Sequence, residues 1–190
     1  CIHHLSFNDV DYKTKGNFIK WNPSIKTIED QNALWDALIS DKIDVIATDH
    51  APHTFNEKNQ LYVDCPSGGP LVQHSLYIMY EHFLEKRISL EKIVEKMCHN
   101  PAILFNIKKR GFIREGFFAD LVILRKNQSW VINKNNILYK CGWSPFEDKK
   151  INSMITHTFV SGNLAYENGL FNQNIICLLY TSDAADDVEC

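Results

Sequence analysis

The sequence predicts an α/β segment followed by a smaller β-rich segment. Apolar residues recur at helical spacing over Ile28–Ser40, and a short apolar run at Ile43–Ala47 then predicts a buried strand. A helix followed directly by a buried strand is half of an α/β repeat. After Lys109 the pattern changes to turn glycines and alternating apolar and polar residues, which predict strands.

The α/β segment contains further helix signals. Residues 1–24 are polar and aromatic with several turn residues, and they predict a long surface loop. Thr27 then provides an N-cap for the helix at Ile28–Ser40. Two more helices are predicted, one over Leu71–Lys86 and one that begins after Ser89 and ends before Asn100.

The β-rich segment begins with a strand at Leu121–Leu124. Further on, Ile155–Val160 and Leu164–Tyr166 flank the turn Ser161-Gly162-Asn163, which predicts a hairpin. Residues 176–190 follow none of the preceding patterns, and we expect a disordered or non-native tail.

Composition excludes several classes of protein. The 190 residues carry a net charge of −3, so no basic field indicates nucleic acid or an anionic membrane as a partner. No apolar run reaches the roughly 20 residues of a membrane helix. The six cysteines form no CxxC pair and no signal peptide precedes them, so we expect reduced thiols in a cytoplasmic protein. The chain starts with Cys1 rather than Met, which we interpret as a segment of a longer protein.

The stretch DVIATDHAPH, residues 44–53, places an acid directly after the predicted strand. At the carboxyl end of a barrel strand, the Asp49 carboxylate is positioned to bind a metal ion and to accept a proton. His53 follows a proline and is able to reach the same pocket. A lone Asp in such a place is more often a turn element, so the motif alone does not decide between the two roles.

The remaining histidines favour structural roles. Two adjacent residues in a loop rarely point at one ion, so we expect His3 and His4 to be structural. His74, His82 and His99 lie on predicted helices, where surface or interface roles are expected, and His157 alternates in a strand as a packing residue.

Together the motifs resemble dihydroorotases of the amidohydrolase superfamily. TDHAPH lies between FIKWNPSIKT upstream and CPSGGPLVQHSL downstream, and the match continues in order through CHNPAILFNI, GFIREGFFADLVIL, ILYKCGWSPFE and THTFVSGNLAYENG. The resemblance covers Ile2 to about Phe171. It implies that residues 1–108 are the C-terminal part of a TIM (β/α)8 barrel. Residues 109–175 would be the returning strands of a small β-sandwich.

The resemblance also implies an activity and a site. Dihydroorotases interconvert N-carbamoyl-L-aspartate and L-dihydroorotate in pyrimidine biosynthesis, with zinc as cofactor. Position by position, Asp49 matches a metal ligand and general acid/base. Asn22, His53, Ser67 and Gly68 match substrate-binding positions. The partners expected are the small-molecule substrate and a second copy in a homodimer, with no nucleic acid and no membrane.

This chain departs from the family pattern in its metal ligands. The family's HxH pair, its central carboxylated Lys or Asp and its two later histidines have no counterpart here, and His3–His4 matches a pair that binds no metal. One carboxylate does not hold zinc. We therefore expect the segment alone to be inactive and not to bind zinc tightly. Its open strand edges also put independent folding in doubt.

Two other functions remain open. An inactive dihydroorotase-like protein would serve as a scaffold for a carbamoyltransferase, but it has no need of Asp49, Asn22 and His53. A sister cyclic amidohydrolase would act on dihydropyrimidines, hydantoins or allantoin. An HxH pair and a central Lys upstream would favour catalysis, and an assay on dihydroorotate against hydantoin separates the two enzymes.

Overall fold

The computed structural model describes residues 1–172, in which short helices precede a single sheet. The helices are α1 (Ile2–Ser6), α2 (Tyr12–Lys15), α3 (Ile28–Ile39), α4 (Phe55–Lys58), α5 (Ser75–Leu84), α6 (Leu90–Val94) and α7 (Asn100–Leu104). Short 3-10 turns at Asp9–Asp11 and Gly16–Ile19 flank α2, and a π-helical turn at Glu95–His99 joins α6 to α7. The predicted disordered or non-native tail, residues 176–190, lies outside the described residues.

The sheet is antiparallel with its strands in chain order: β1 (Leu121–Val131), β2 (Lys150–Val160), β3 (Asn163–Glu167) and β4 (Leu170–Phe171). The predicted hairpin is confirmed, since β2 pairs with β3 across a turn at Ser161 and Gly162, both at positive φ. β1 extends well past the predicted Leu121–Leu124 because it pairs with β2 as far as Val131.

Helix α3 begins where its sequence predicts. The Thr27 hydroxyl accepts a hydrogen bond from the Asp30 amide at 3.3 Å, and the Asp30 carboxylate accepts one from the Thr27 amide at 3.2 Å. This reciprocal capping box satisfies two amides that the first helical turn leaves free. Trp35 and Leu38 face the core from the same helix.

The prediction of a surface loop over residues 1–24 is wrong. Its scattered apolar residues are buried, including Ile2, Leu5 and Ile19. The indole of Trp35 donates to the Leu5 carbonyl at 3.0 Å, so α3 fixes α1 against the core. The turn residues misled the prediction because they separate short helices here instead of interrupting a loop.

The predicted strand Ile43–Ala47 lies outside any β-ladder, so this prediction is wrong. A strand needs an extended neighbour, and here the run lies between α1 and the π-helical turn. The Ile2 amide donates to the Ala47 carbonyl at 3.0 Å, and the Ile46 amide donates to the Lys96 carbonyl at 3.0 Å. Beyond it, His50 forms an isolated parallel bridge with Gly69.

Two other helices differ from their predicted bounds. α5 begins at Ser75 rather than Leu71, and the helix predicted to end before Asn100 continues through the π-helical turn into α7. α5 packs on the sheet, where the Glu81 carboxylate accepts hydrogen bonds from the amide and the side chain of Asn152 at 2.7 and 2.8 Å. The helical part and the sheet therefore share one core. Within residues 1–172, no helix has the length and apolar character needed to span a membrane.

Candidate active site

Asp49 lies at the surface, after the apolar run and before the bridge formed by His50. Its backbone adopts φ +50°, a left-handed conformation that only glycine adopts without cost and that Asp tolerates better than most residues. In the described part of the chain its carboxylate has no ion-pair partner. Its negative charge acts on the nearby imidazole of His4, whose pKa is lowered chiefly by burial.

The loop at Ser67 and Gly68 contacts the segment that follows Asp49. Gly68 has φ +114°, and a Cβ placed on it would lie 2.8 Å from both Cβ and the carbonyl oxygen of Ala51. Only glycine allows the two backbones to approach this closely. The Gly68 amide donates to the Lys20 carbonyl at 2.9 Å, which fixes the loop against a third segment.

His53 is held at both its ring and its backbone. Its Nε2 lies 3.0 Å from the Ser67 carbonyl and donates to it, so the neutral ring carries its lone pair on Nδ1. The His53 carbonyl in turn accepts a hydrogen bond from the indole of Trp143 at 2.7 Å. His53, Ser67 and Gly68 are therefore in direct contact, as a shared site requires.

Asn22 is exposed next to a cis peptide bond with Pro23. It lies two residues after Lys20, and the Lys20 carbonyl accepts the hydrogen bond from the Gly68 amide. The Pro23 carbonyl accepts a hydrogen bond from His4 Nε2 at 3.0 Å. Asn22 therefore lies in sequence between Lys20, which binds Gly68, and Pro23, which binds His4.

Lys58 is a residue that sequence reasoning missed. Its side chain is fully buried, and its ammonium group donates to the carbonyls of Pro66 and Gly68 at 2.9 Å each and of Lys20 at 3.3 Å. Burial lowers its pKa, with the nearby Cys65 opposing the shift. Lys58 therefore links the loop that contains Ser67 and Gly68 to the segment that contains Asn22. Its polar neighbours in FNEKNQ gave no signal of this burial.

His3 is fully buried, and its ring stacks on Trp21 at 4.4 Å between centroids. Within the described residues neither of its ring nitrogens has a hydrogen-bond partner. Burial, assisted by the neighbouring His4, lowers its pKa to about 3, while a polar contact with the backbone of Thr48 that lacks hydrogen-bond geometry acts in the opposite direction. His3 is therefore neutral, with an available lone pair.

His74 and His82, for which surface or interface roles were predicted, are both buried, so a surface role is wrong for them. Burial lowers the pKa of each to about 4. His74 Nδ1 lies 3.0 Å from the Ser144 hydroxyl, which places segment 139–146 against the start of α5. His82 lies on α5 as predicted and His74 is its N-cap residue, but the residues that cover them are distant in sequence.

Comparison with known proteins identifies the family of this chain. The model of the amidohydrolase family matches residues 4–165, and the chain belongs to that family. Its relatives include the dihydroorotase of Clostridioides difficile (strain 630), 32% identical over 86% of this chain and 38% of the relative. The dihydroorotase of Endomicrobium trichonymphae is 34% identical over 88% of this chain and 40% of the relative.

A solved structure supports the same fold. The L-hydantoinase (dihydropyrimidinase) of Arthrobacter aurescens superposes with a TM-score of 0.81 and 29% identity, over 90% of this chain and 39% of that chain. The fold is therefore the C-terminal part of an amidohydrolase barrel with its adjoining antiparallel strands. The chain spans about two fifths of the length of the relatives it matches.

Proposed function

We propose that this chain is the C-terminal part of a zinc-dependent dihydroorotase of pyrimidine biosynthesis, which interconverts N-carbamoyl-L-aspartate and L-dihydroorotate in the cytoplasm. The observation that carries the proposal is one junction of three segments. There, Gly68 bonds to Lys20, close to Asn22, and contacts Ala51, close to Asp49. His53 binds the same loop through Ser67. Contacts between segments that are distant in sequence thus support a shared site for His53, Ser67 and Gly68, with Asn22 and Asp49 two residues from the contact points Lys20 and Ala51.

Substrate binding would use the polar groups at this junction. L-dihydroorotate carries a carboxylate and a cyclic amide, both of which are recognised by fixed hydrogen-bond donors and acceptors. His53 is anchored through Nε2, so Nδ1 is the atom left to contact substrate: it donates when the ring is protonated and accepts when the ring is neutral. Asn22 offers an amide that both donates and accepts.

Asp49 would act on the proton. Hydrolysis of a cyclic amide needs a base that takes a proton from water and an acid that returns it to the departing nitrogen. The Asp49 carboxylate is exposed and free of any ion pair in residues 1–172, so both of its oxygens are available for that exchange.

Of the zinc ligands of the family, this chain supplies Asp49, and a carboxylate oxygen is an ordinary zinc donor. When bound, zinc would act as a Lewis acid and lower the pKa of a water molecule. Asp49 is the family ligand that we assign to this chain.

A sister activity is the second candidate, and the similarity to an L-hydantoinase structure favours it. The dihydroorotase proposal is supported by sequence relatives at 32% and 34% identity and by the HAPH run that ends in His53. The test is kcat/KM of a full-length protein containing this segment on L-dihydroorotate, hydantoin and dihydrouracil. We expect a preference for dihydroorotate of about hundredfold or more. Preference for hydantoin would favour the sister enzyme, and no turnover of any substrate would favour the scaffold.

His53→Ala tests how the carboxylate is recognised. We expect KM for L-dihydroorotate to rise about tenfold or more, and KM for the uncharged dihydrouracil to rise much less, because only the first substrate loses a charged hydrogen bond. Steady-state kinetics on both substrates measure the difference. Equal changes in KM for the two substrates would show that His53 does not bind the substrate carboxylate.

A further inference from the structure

A cluster of three metal-ligand side chains lies at the start of α1. The thiol of Cys1 and the imidazoles of His3 and His4 each offer one ligand atom, and these atoms all lie within 4.8 Å of one another. Helical backbone brings them together, since the amides of His4 and Leu5 donate to the Cys1 carbonyl at 3.1 and 3.3 Å. In an extended loop, side chains so close in sequence would point apart.

The buried ring of His3 indicates a ligand at this cluster. A fully buried polar group normally has a hydrogen-bond partner, and leaving one unsatisfied costs on the order of 1–3 kcal/mol. His3 has none on either nitrogen among residues 1–172, although its ring is 0% exposed. Trp21 stacks on one face of the ring and fixes its plane, with the two ring centroids 4.4 Å apart.

The imidazole of His4 has one ring nitrogen fixed by the backbone and one that is free to bind a metal ion. Its Nε2 donates to the Pro23 carbonyl at 3.0 Å, which leaves the lone pair on the other ring nitrogen. In many metal sites the ring nitrogen that does not bind the metal donates a hydrogen bond to a backbone carbonyl, which fixes the tautomer and the orientation of the imidazole. The nearby charge of Asp49 favours a cation at the same place.

We propose that Cys1, His3 and His4 bind a divalent transition-metal ion of the zinc class, through one sulfur and two nitrogens. In a tetrahedral zinc site the ligand atoms are about 3.3 to 3.6 Å apart, so these three need to converge by about 1 Å. Binding replaces the thiol proton, which is released to solvent. The site is separate from the ligands matched to the family and does not depend on the proposed activity. The sequence predicted no tight zinc binding because only Asp49 matches a metal ligand of the family, and the cluster at α1 was not considered.

Cobalt(II) titration of a full-length protein containing this segment, without a histidine tag and in a phosphine reductant, tests the proposal, with cobalt affinity followed by the thiolate-to-cobalt band, which the family ligands do not produce. A thiolate-to-cobalt charge-transfer band and four-coordinate d–d bands are expected, and zinc should displace both. Cys1→Ser should abolish the charge-transfer band, and His4→Gln should weaken cobalt binding about tenfold or more. Because His3 is buried, His4→Gln is the safer imidazole variant, and circular dichroism checks that each variant is folded.

Cys98→Ser and His99→Gln are the matched controls, because both residues lie outside the cluster and Cys98 is also a free, exposed thiol. They should leave the bands and the affinity unchanged. Absence of a charge-transfer band at saturating cobalt, or a band that survives Cys1→Ser, would overturn the proposal. So would a band that Cys98→Ser removes, or cobalt affinity unchanged by His4→Gln.

Discussion

The loop over residues 54–69 and the sheet over residues 121–171 differ in an unexpected way. The loop has one short helix, α4, and a polar sequence, yet Lys58, Cys65 and Gly68 within it are buried. The sheet has regular strands, yet adjacent residues of β1, Val122 and Ile123, are 49% and 47% exposed. At these three positions the irregular loop is therefore packed more closely than strand β1, although Leu61 and Val63 of the loop are 72% and 82% exposed.

The difference follows from where the hydrogen-bond partners lie. In the sheet, backbone groups bind neighbouring strands, and much of both faces of β1 remains open. In the loop, backbone carbonyls converge on a single buried ammonium group, and the Gly68 amide binds a distant segment. Site residues on loops need such support because positioning errors of about 1 Å reduce catalysis strongly.

Gly68→Ala should produce the largest effect. The new Cβ would meet Ala51 at 2.8 Å in a left-handed backbone conformation, and we expect unfolding free energy to fall by about 2 to 4 kcal/mol. Gly162→Ala, in the β2–β3 turn, has a similar φ of +83° but nothing within 4 Å, so it should cost only about 1 to 2 kcal/mol. Urea unfolding of both variants measures the difference. Equal losses would show that the loop tolerates a side chain at 68.

Lys58→Met should come next. Methionine fills the space but leaves three carbonyls without their shared donor, and we expect a loss of about 2 kcal/mol in unfolding free energy. Lys13→Met is the control, since Lys13 is exposed on α2 and should change stability by less than about 0.5 kcal/mol. A Lys58 variant as stable as the Lys13 variant would mean that burial of the ammonium group costs as much as its hydrogen bonds contribute.

Lowering the pH should weaken the contact between α5 and segment 139–146. The pKa of His74 is about 4 in the folded chain and 6.5 when unfolded, so the unfolded chain takes up the proton first as pH falls. The contribution of His74 to stability is complete above about pH 6.5 and is lost progressively toward pH 4. Between pH 7 and pH 5 the loss due to His74 should be about 2 kcal/mol. The buried His3 and His82 lose stability over the same range, so the difference in urea unfolding between the unsubstituted protein and His74→Gln at each pH isolates the His74 contribution. His74→Gln should flatten this dependence, and an unchanged slope would contradict the assignment.

Local signals in the sequence predicted much of the fold. The N-cap at Thr27 and the turn at Ser161 and Gly162 depend on residues within a few positions, and both are confirmed. The apolar run Ile43–Ala47 was predicted as a strand because its composition favours one. Whether it joins a ladder depends on neighbours that composition does not specify.

The residues of the candidate site were predictable from the sequence, but the hydrogen bonds that hold the loop around Gly68 in place were not. Asp49 and His53 lie in the motif TDHAPH, and Gly68 lies in CPSGGPLVQHSL. The roles of these residues stay predictions. The burial of Lys58 depends on carbonyls from two separate segments, which no local pattern encodes. The proximity of Cys1, His3 and His4 was missed because residues 1–24 were predicted as a loop.

Turnover of L-dihydroorotate by the Asp49→Asn variant of a full-length protein containing this segment is the most direct test of the central claim. We predict a fall in kcat of about a thousandfold or more, with unfolding free energy changed by less than about 0.5 kcal/mol because the side chain is exposed and unpaired. Asp64→Asn, an exposed acid in the loop, should leave both quantities unchanged. Turnover close to that of the unsubstituted protein would contradict the role of Asp49 and the function built on it.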